Sequence, residues 1–302
     1  MSYLETVFPR AARLRIPLSR DQCMLLMAAV NEIFLGVDIY LAHSTSGAIT
    51  RNEWIPIIFG PVAGVLLLVA GLVALRRRPL ANVLATFVFL CSIVVGLMGA
   101  YFHLYRALLP YALPGERVTV DLLVWAPPIL GPLTFCLVGL LGISAAWAED
   151  PPDSGILTLL GGVRLKMPLS KTRAYFFMVS LGILATVISS VFDHARTNFV
   201  NPWLWIPTVA GIFGVVVALG VGIVDQPRRS DLAIYTGAML LLITVGVLGS
   251  LLHIQSNLTS EQVIVGERFL RGAPFMAPML FADMGTLGLL VLLDPQEMSR
   301  DK

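Results

Sequence analysis

Histidine is the residue type here whose placement points most directly to chemistry. There are four in the chain: His43, His103, His194 and His253. A neutral imidazole is a good ligand for iron, copper or zinc, and the side chain changes charge near neutral pH. The four are related by a repeat. The stretch 43–56, HSTSGAITRNEWIP, returns as 194–207, HARTNFVNPWLWIP. In each copy the histidine precedes the tryptophan of Trp-Ile-Pro by 11 residues (54 − 43 and 205 − 194). His103 and His253 match as well. Gly99 and Gly96 stand 4 and 7 residues before His103, and Gly249 and Gly246 stand likewise before His253.

The correspondence runs through both halves of the chain. Adding 151 carries Gly60 to Gly211, Gly71 to Gly222 and Arg77-Arg78 to Arg228-Arg229. Adding 150 carries Gly96, Gly99 and His103 to Gly246, Gly249 and His253. Gly115-Glu116-Arg117 answers to Gly266-Glu267-Arg268, and Ala126-Pro127 to Ala273-Pro274.

The elements that hold these residues are apolar. Of 302 residues, 57% are hydrophobic and 13% charged, about half the charged fraction of a soluble domain. Mean hydropathy is +0.82. Eight apolar segments, roughly 22–43, 54–75, 80–105, 124–147, 172–194, 203–225, 230–254 and 274–293, are long enough to span a bilayer as helices. They do not alternate as barrel strands would. The expected fold is an all-α integral membrane protein, its eight transmembrane helices forming two parallel-repeat four-helix bundles. The expected boundaries are an N-terminal arm (1–21), a first repeat (22–147), a linker (148–171), a second repeat (172–293) and a tail (294–302). Each unit has an even number of helices, so the copies share one orientation.

Basic residues set the expected topology. Arg10, Arg13, Arg15 and Arg20, then Arg76 to Arg78, Arg164, Lys166 and Lys171, and Arg228 and Arg229 fall on one side. That places both termini in the cytoplasm of a bacterial or archaeal cell, and Trp54, Trp203 and Trp205 at the outer interface. A net charge of +2 gives no reason to expect a nucleic-acid partner. Cys23, Cys91 and Cys136 lie in apolar runs, so no disulfide framework is expected, and the N-terminus lacks the apolar core of a signal peptide.

With this topology all four histidines sit near the outer ends of odd-numbered helices. The first and third helices of an up-down bundle are diagonal, as are the fifth and seventh, so paired imidazoles can meet across each interior. The expectation is one haem b per half, held by His43/His103 and His194/His253. Gly99 and Gly249 would let a flat macrocycle approach the backbone, and Arg117 and Arg268 would pair with its propionates. A bare copper or iron ion is the alternative cofactor, with Asp193 and Asp121 as unrepeated carboxylate candidates. Two acids lie inside the apolar segments. Glu32 is 11 residues before His43 on the same helix face, and Asp283 is midway down the eighth segment. Neither is repeated: the counterparts are Ile183 and, approximately, Cys136. Both are candidates for proton or quinone chemistry.

The layout resembles that of haem A synthase, which also has two parallel four-helix halves and two outer-face histidine pairs. The motif differs. That family places its histidines on even-numbered helices with a glutamate three residues earlier, whereas here Tyr40 stands three before His43 and Ser44 follows it. The resemblance is one of design. The expected function is electron transfer between a membrane quinone and an outer partner, as a membrane subunit of a respiratory-type complex with other protein subunits. The alternative is a transporter or non-catalytic anchor whose histidines sense pH or cations. The chain has no intramembrane lysine for a retinal Schiff base, no CxxCH and no P-loop.

Overall fold

Backbone groups in an apolar phase must bond within their own segment, so long uncharged apolar runs become helices. A computed structural model describes residues 3–10, 18–44, 47–74, 76–111, 119–258 and 263–293. Its elements are α1 (Tyr3–Val7), α2 (Arg20–Ser44), α3 (Trp54–Ala74), α4 (Arg78–Phe102), α5 (Val120–Trp125) and α6 (Leu130–Ala146), then β1 (Ala148–Glu149), β2 (Ile156–Thr158) and β3 (Arg164–Lys166), and finally α7 (Lys171–Ala195), α8 (Trp205–Ile223), α9 (Arg229–Asn257), α10 (Gly266–Arg271) and α11 (Met279–Val291).

Among the described residues, six helices are long and apolar enough to cross a membrane: Arg20–Ser44, Trp54–Ala74, Arg78–Tyr105, Lys171–Ala195, Pro202–Ile223 and Arg229–Asn257. The protein is mostly helical, and its helices are those of a membrane protein. Two further apolar helices, α6 and α11, are shorter than expected. The segment 124–147 breaks after Trp125 and resumes at Leu130, and the segment 274–293 is helical only from Met279. Proline accounts for both. Pro127 and Pro128 interrupt the first, and Pro274 and Pro278 delay the second, because proline restricts the residue before it and has no N–H.

Helix α2 packs on α3 and α6, and α4 packs on the same two, so α2 and α4 are diagonal in a four-helix ring. Helices α7, α8, α9 and α11 form a second ring in the same order. The rings join through α2, α6, α7 and α11. Their outer surfaces are apolar. Ile58, Val65 and Leu72 on α3 are exposed, and so are Val209, Val216 and Ile223, each 151 residues later, on α8. Such stripes, spaced by seven, suit lipid.

At the end opposite the histidines, charges cross between the rings. Arg20 Nη1 donates to Thr172 Oγ1 (2.5 Å), and Lys171 Nζ donates to Asp21 Oδ2 (2.5 Å) and to the Trp147 carbonyl (2.7 Å). Arg20 and Lys171 are 151 residues apart, as are Asp21 and Thr172, so the two contacts mirror each other. The Arg20 and Lys171 side chains are only 1% exposed. Two of the basic residues used to orient the chain therefore lie buried between the rings.

The linker is an ordered three-stranded antiparallel sheet, β1-β2-β3. The Glu149 carboxylate accepts from the backbone N–H groups of Asp153, Gly155 and Lys171, which ties the turn to the start of α7. Gly155 adopts φ +74 in that turn, where an added Cβ would lie 2.9 Å from the Leu169 carbonyl. The N-terminal α1 also docks: Leu4 N–H donates to the Leu292 carbonyl, and Tyr3 stacks on Phe176 with ring centroids 6.1 Å apart.

Candidate metal or haem sites

The ends of α2 and α4 bring two imidazoles together. The ring centroids of His43 and His103 are 6.0 Å apart, with planes inclined by 52°. Those of His194, on α7, and His253, on α9, are 6.5 Å apart and inclined by 82°. A metal–imidazole bond is about 2.0–2.1 Å long and the ring centre lies about 1.1 Å beyond the nitrogen. Two imidazoles on opposite sides of one ion therefore have centroids roughly 6.3 Å apart. Both pairs stand at that separation.

Second partners orient the rings. His43 Nδ1 donates to the Ile39 carbonyl, His103 Nδ1 to the Pro128 carbonyl and His253 Nδ1 to the Pro274 carbonyl, each at 2.9 Å. A carbonyl only accepts, so Nδ1 carries the hydrogen and Nε2 is the acceptor nitrogen of the neutral ring. This is the arrangement metal-binding histidines adopt. His194 Nδ1 lies 3.4 Å from Ser190 Oγ, a looser contact.

Pro128 and Pro274 lie outside the helices, in the stretches that lead into α6 and α11, where their carbonyls are open to a side chain. The Pro274 carbonyl also accepts from the Ala277 N–H at 3.2 Å. Pro128 and Pro274 are 146 residues apart, so the structural counterpart of Pro274 is Pro128 and not Pro127. His103 also opens a π-helical turn, His103–Leu108, a distortion that concentrates at functional sites.

Gly99 and Gly249 do not leave an open slot. A Cβ at Gly99 would lie 2.7 Å from Pro132 Cβ, and one at Gly249 would lie 2.9 Å from Pro278 Cβ. These glycines admit the proline-bearing helix, which in turn delivers the carbonyl to the histidine. Arg117 lies outside the described residues. Arg268, on α10, donates to the Ser256 carbonyl (3.4 Å) and lines a cavity of about 420 Å³ with Arg271 and Asn257, at the His253 end of α9. Glu267 lines the same cavity and pairs with Arg271 at 3.4 Å, so Arg268 is the guanidinium placed to meet an anionic substituent.

Among the described residues no three of His, Cys, Asp or Glu come together. Protein therefore supplies two donors per site. Asp193 pairs with Arg196 at 3.9 Å, and Arg196 reaches the Val124 carbonyl at 2.8 Å, linking the rings beside His194.

Glu32 and Asp283 are both within the helical core. Ser92 Oγ meets Glu32 Oε1 at 2.5 Å, and Asn31 Nδ2 donates to Asp283 Oδ2 at 3.0 Å across the junction of the rings. Sequence reasoning missed Ser92, the bond from Asn31 to Asp283 and the proline carbonyls. The prolines at 127/128 and 274/278, which break the fourth and eighth segments, are the signal that would have pointed to the last. No protein-family model matches the chain, and no curated protein or solved structure matches it significantly.

Proposed function

We propose that the chain is an integral membrane redox protein of eight spans, in two parallel four-helix repeats, that binds one haem b between His43 and His103 and another between His194 and His253. Electrons pass between a membrane quinone and a partner at the outer, histidine-bearing face, and the chain serves as the membrane subunit of a respiratory-type complex. Both termini are cytoplasmic. The observation that carries the reading is the duplicated histidine pair at ligand separation. Haem supplies a one-electron carrier when bound, and its four ring nitrogens complete a coordination sphere to which protein brings two donors. The chain's own part is to hold each imidazole in one tautomer and to surround the pair with apolar helices. Arg268, with its counterpart Arg117, is assigned to the propionates.

The duplicated contacts support the two-repeat arrangement. A Cβ at Gly139 would meet the Phe89 carbonyl and Ile93, and one at Gly285 would meet the Met239 carbonyl and Ile243. The offsets are 146 on one helix and 150 on the other, as for the histidine–proline bonds. Helices α6 and α11 are the fourth and eighth spans in this reading. The non-helical stretches leading into them complete the crossing, and membranes tolerate such backbone where protein covers it. Glu32 and Asp283 are assigned to proton exchange with the quinone.

The filled space at Gly99 and Gly249 favours a second reading, a bare copper or iron ion between each pair. Haem extraction and metal analysis of the purified protein separate the two. His103→Ala and His253→Ala are each expected to remove half of the bound cofactor. Loss of none from either variant refutes the pairing.

A further inference from the structure

The rings differ at a level where their packing is otherwise matched. Glu32 corresponds to Ile183 (151 later), Ser92 to Leu242 (150 later) and Phe135 to Phe281 (146 later). Ile183 and Leu242 are fully buried and meet beside Gly214, whose added Cβ would lie 2.9 Å from Leu242 and 3.5 Å from Ile183. In the first ring the same places hold a carboxyl and a hydroxyl, both with no exposure. An apolar pair fills this position in the second ring, so packing does not demand an acid. The next residue breaks the correspondence too. Asn31 bonds Asp283, whereas its counterpart Gly182 meets Leu137, 146 residues before Asp283.

The hydrogens around Glu32 can be counted. Ser92 Oγ is 2.5 Å from Glu32 Oε1 and 3.0 Å from the Phe135 carbonyl. The hydroxyl has one hydrogen and the carbonyl only accepts. With Glu32 ionised, two acceptors compete for that hydrogen. With a proton on Oε1, both contacts are satisfied: Glu32 donates to Ser92, and Ser92 donates to Phe135. Glu32 Oε2 is buried without a hydrogen-bond partner, a cost far smaller for a neutral acid than for a carboxylate. Among the described residues the elements packed beside Glu32 bring no opposite charge: α11 contributes a second acid, Asp283, which accepts from Asn31, and the arginines of α10 stand at the histidine end. From α3 Gly60 abuts the Glu32 backbone, α4 contributes Ser92, and α6 contributes Phe135 and Cys136, whose thiol donates to the Ile93 carbonyl.

We propose that Glu32 is a neutral carboxylic acid holding a proton inside the first ring, and that this proton responds to charge changes at the His43/His103 site, a coupling with no counterpart at the Ile183/Leu242 position of the second ring. The coupling rests on the redox reading above, and the neutral acid does not. Eleven residues separate Glu32 from His43 on one helix face, roughly 16 Å. At that range in a low-dielectric interior, one added charge alters a proton affinity severalfold.

Infrared spectroscopy of the full chain in lipid nanodiscs tests the acid. The wild type is expected to show a carboxylic-acid C=O band that shifts in D2O. Glu32→Gln and the double variant Glu32→Ile/Ser92→Leu should each lose it, and Asp283→Asn should retain it. The double variant copies the pair that the second ring packs successfully, and Gln keeps a donor toward Ser92, so two routes to a folded variant are available. An unaltered band in both variants overturns the neutral acid. For the coupling, the site remaining in His253→Ala should show a pH-dependent reduction midpoint that Glu32→Gln flattens, with no such effect on the site remaining in His103→Ala. An unchanged pH dependence overturns the coupling. A metal-free protein that keeps the band overturns the coupling together with the redox reading and leaves the neutral acid standing.

Discussion

Each imidazole that bonds a backbone carbonyl through Nδ1 has its tautomer chosen by that carbonyl, and the choice makes Nε2 the nitrogen that a metal would take. For His103 and His253 the accepting carbonyls belong to Pro128 and Pro274, in the non-helical stretches that lead into α6 and α11. Pro132→Ala removes the ring that packs on Gly99 and so loosens the contact that presents the Pro128 carbonyl to His103. Loss of an outer-shell partner costs about 10- to 100-fold in affinity, and the lower end is expected for the first site with the second unaffected. Cofactor titration into the metal-free protein, with Pro278→Ala as the mirror experiment, measures it. Spacing matched His43 with His194 and His103 with His253, and the approach of His43 to His103 and of His194 to His253 followed from the diagonal placement of the odd-numbered helices. The partner carbonyls were not legible. Prolines 127, 128 and 132 fall inside the run 124–147 expected as one span, and a carbonyl there acquires meaning only when an imidazole arrives from another helix.

Among the elements, six of the apolar segments were legible in approximate span as membrane-length helices, because a bilayer-length run has few other readings. The lengths of the fourth and eighth were not, since proline breaks trade helical bonds for bonds to side chains outside the segment. Glycine was misread in the same way. Gly99 and Gly249 stand at the spacing that would admit a flat ligand, but the space is taken by a neighbouring helix. Small residues let membrane helices approach closely, and the same notch serves either purpose in a sequence. Gly285→Val is expected to destabilise the α9–α11 contact by about 1–3 kcal/mol, because its Cβ would lie 2.5 Å from the Met239 carbonyl. Gly71→Ala, where nothing lies within 4 Å, is expected to be neutral or to stabilise by up to about 1 kcal/mol. Thermal unfolding in detergent compares the two.

At the scale of the whole molecule, the two rings are clasped by Arg20 with Thr172 and by Lys171 with Asp21. Counting basic residues along the chain treats Arg20 and Lys171 as surface charges. They are buried because both lie where the rings meet, a location that depends on the relation between halves and not on local sequence. The ordered linker sheet escaped notice for a related reason: its strands are two or three residues long, below the length at which alternation is visible. Lys171→Met removes one partner of a buried pair, and a loss of about 3 kcal/mol is expected. Adding Asp21→Leu should recover part of it, and a double-mutant cycle by denaturant titration reads the coupling. The central claim is that the paired histidines hold a redox cofactor, and the absorption spectrum of the purified full-length protein, before and after reduction, tests it most directly. The account predicts a Soret band with reducible α and β bands, halved in His103→Ala and in His253→Ala. A colourless, iron-free and copper-free protein with its fold intact would contradict it.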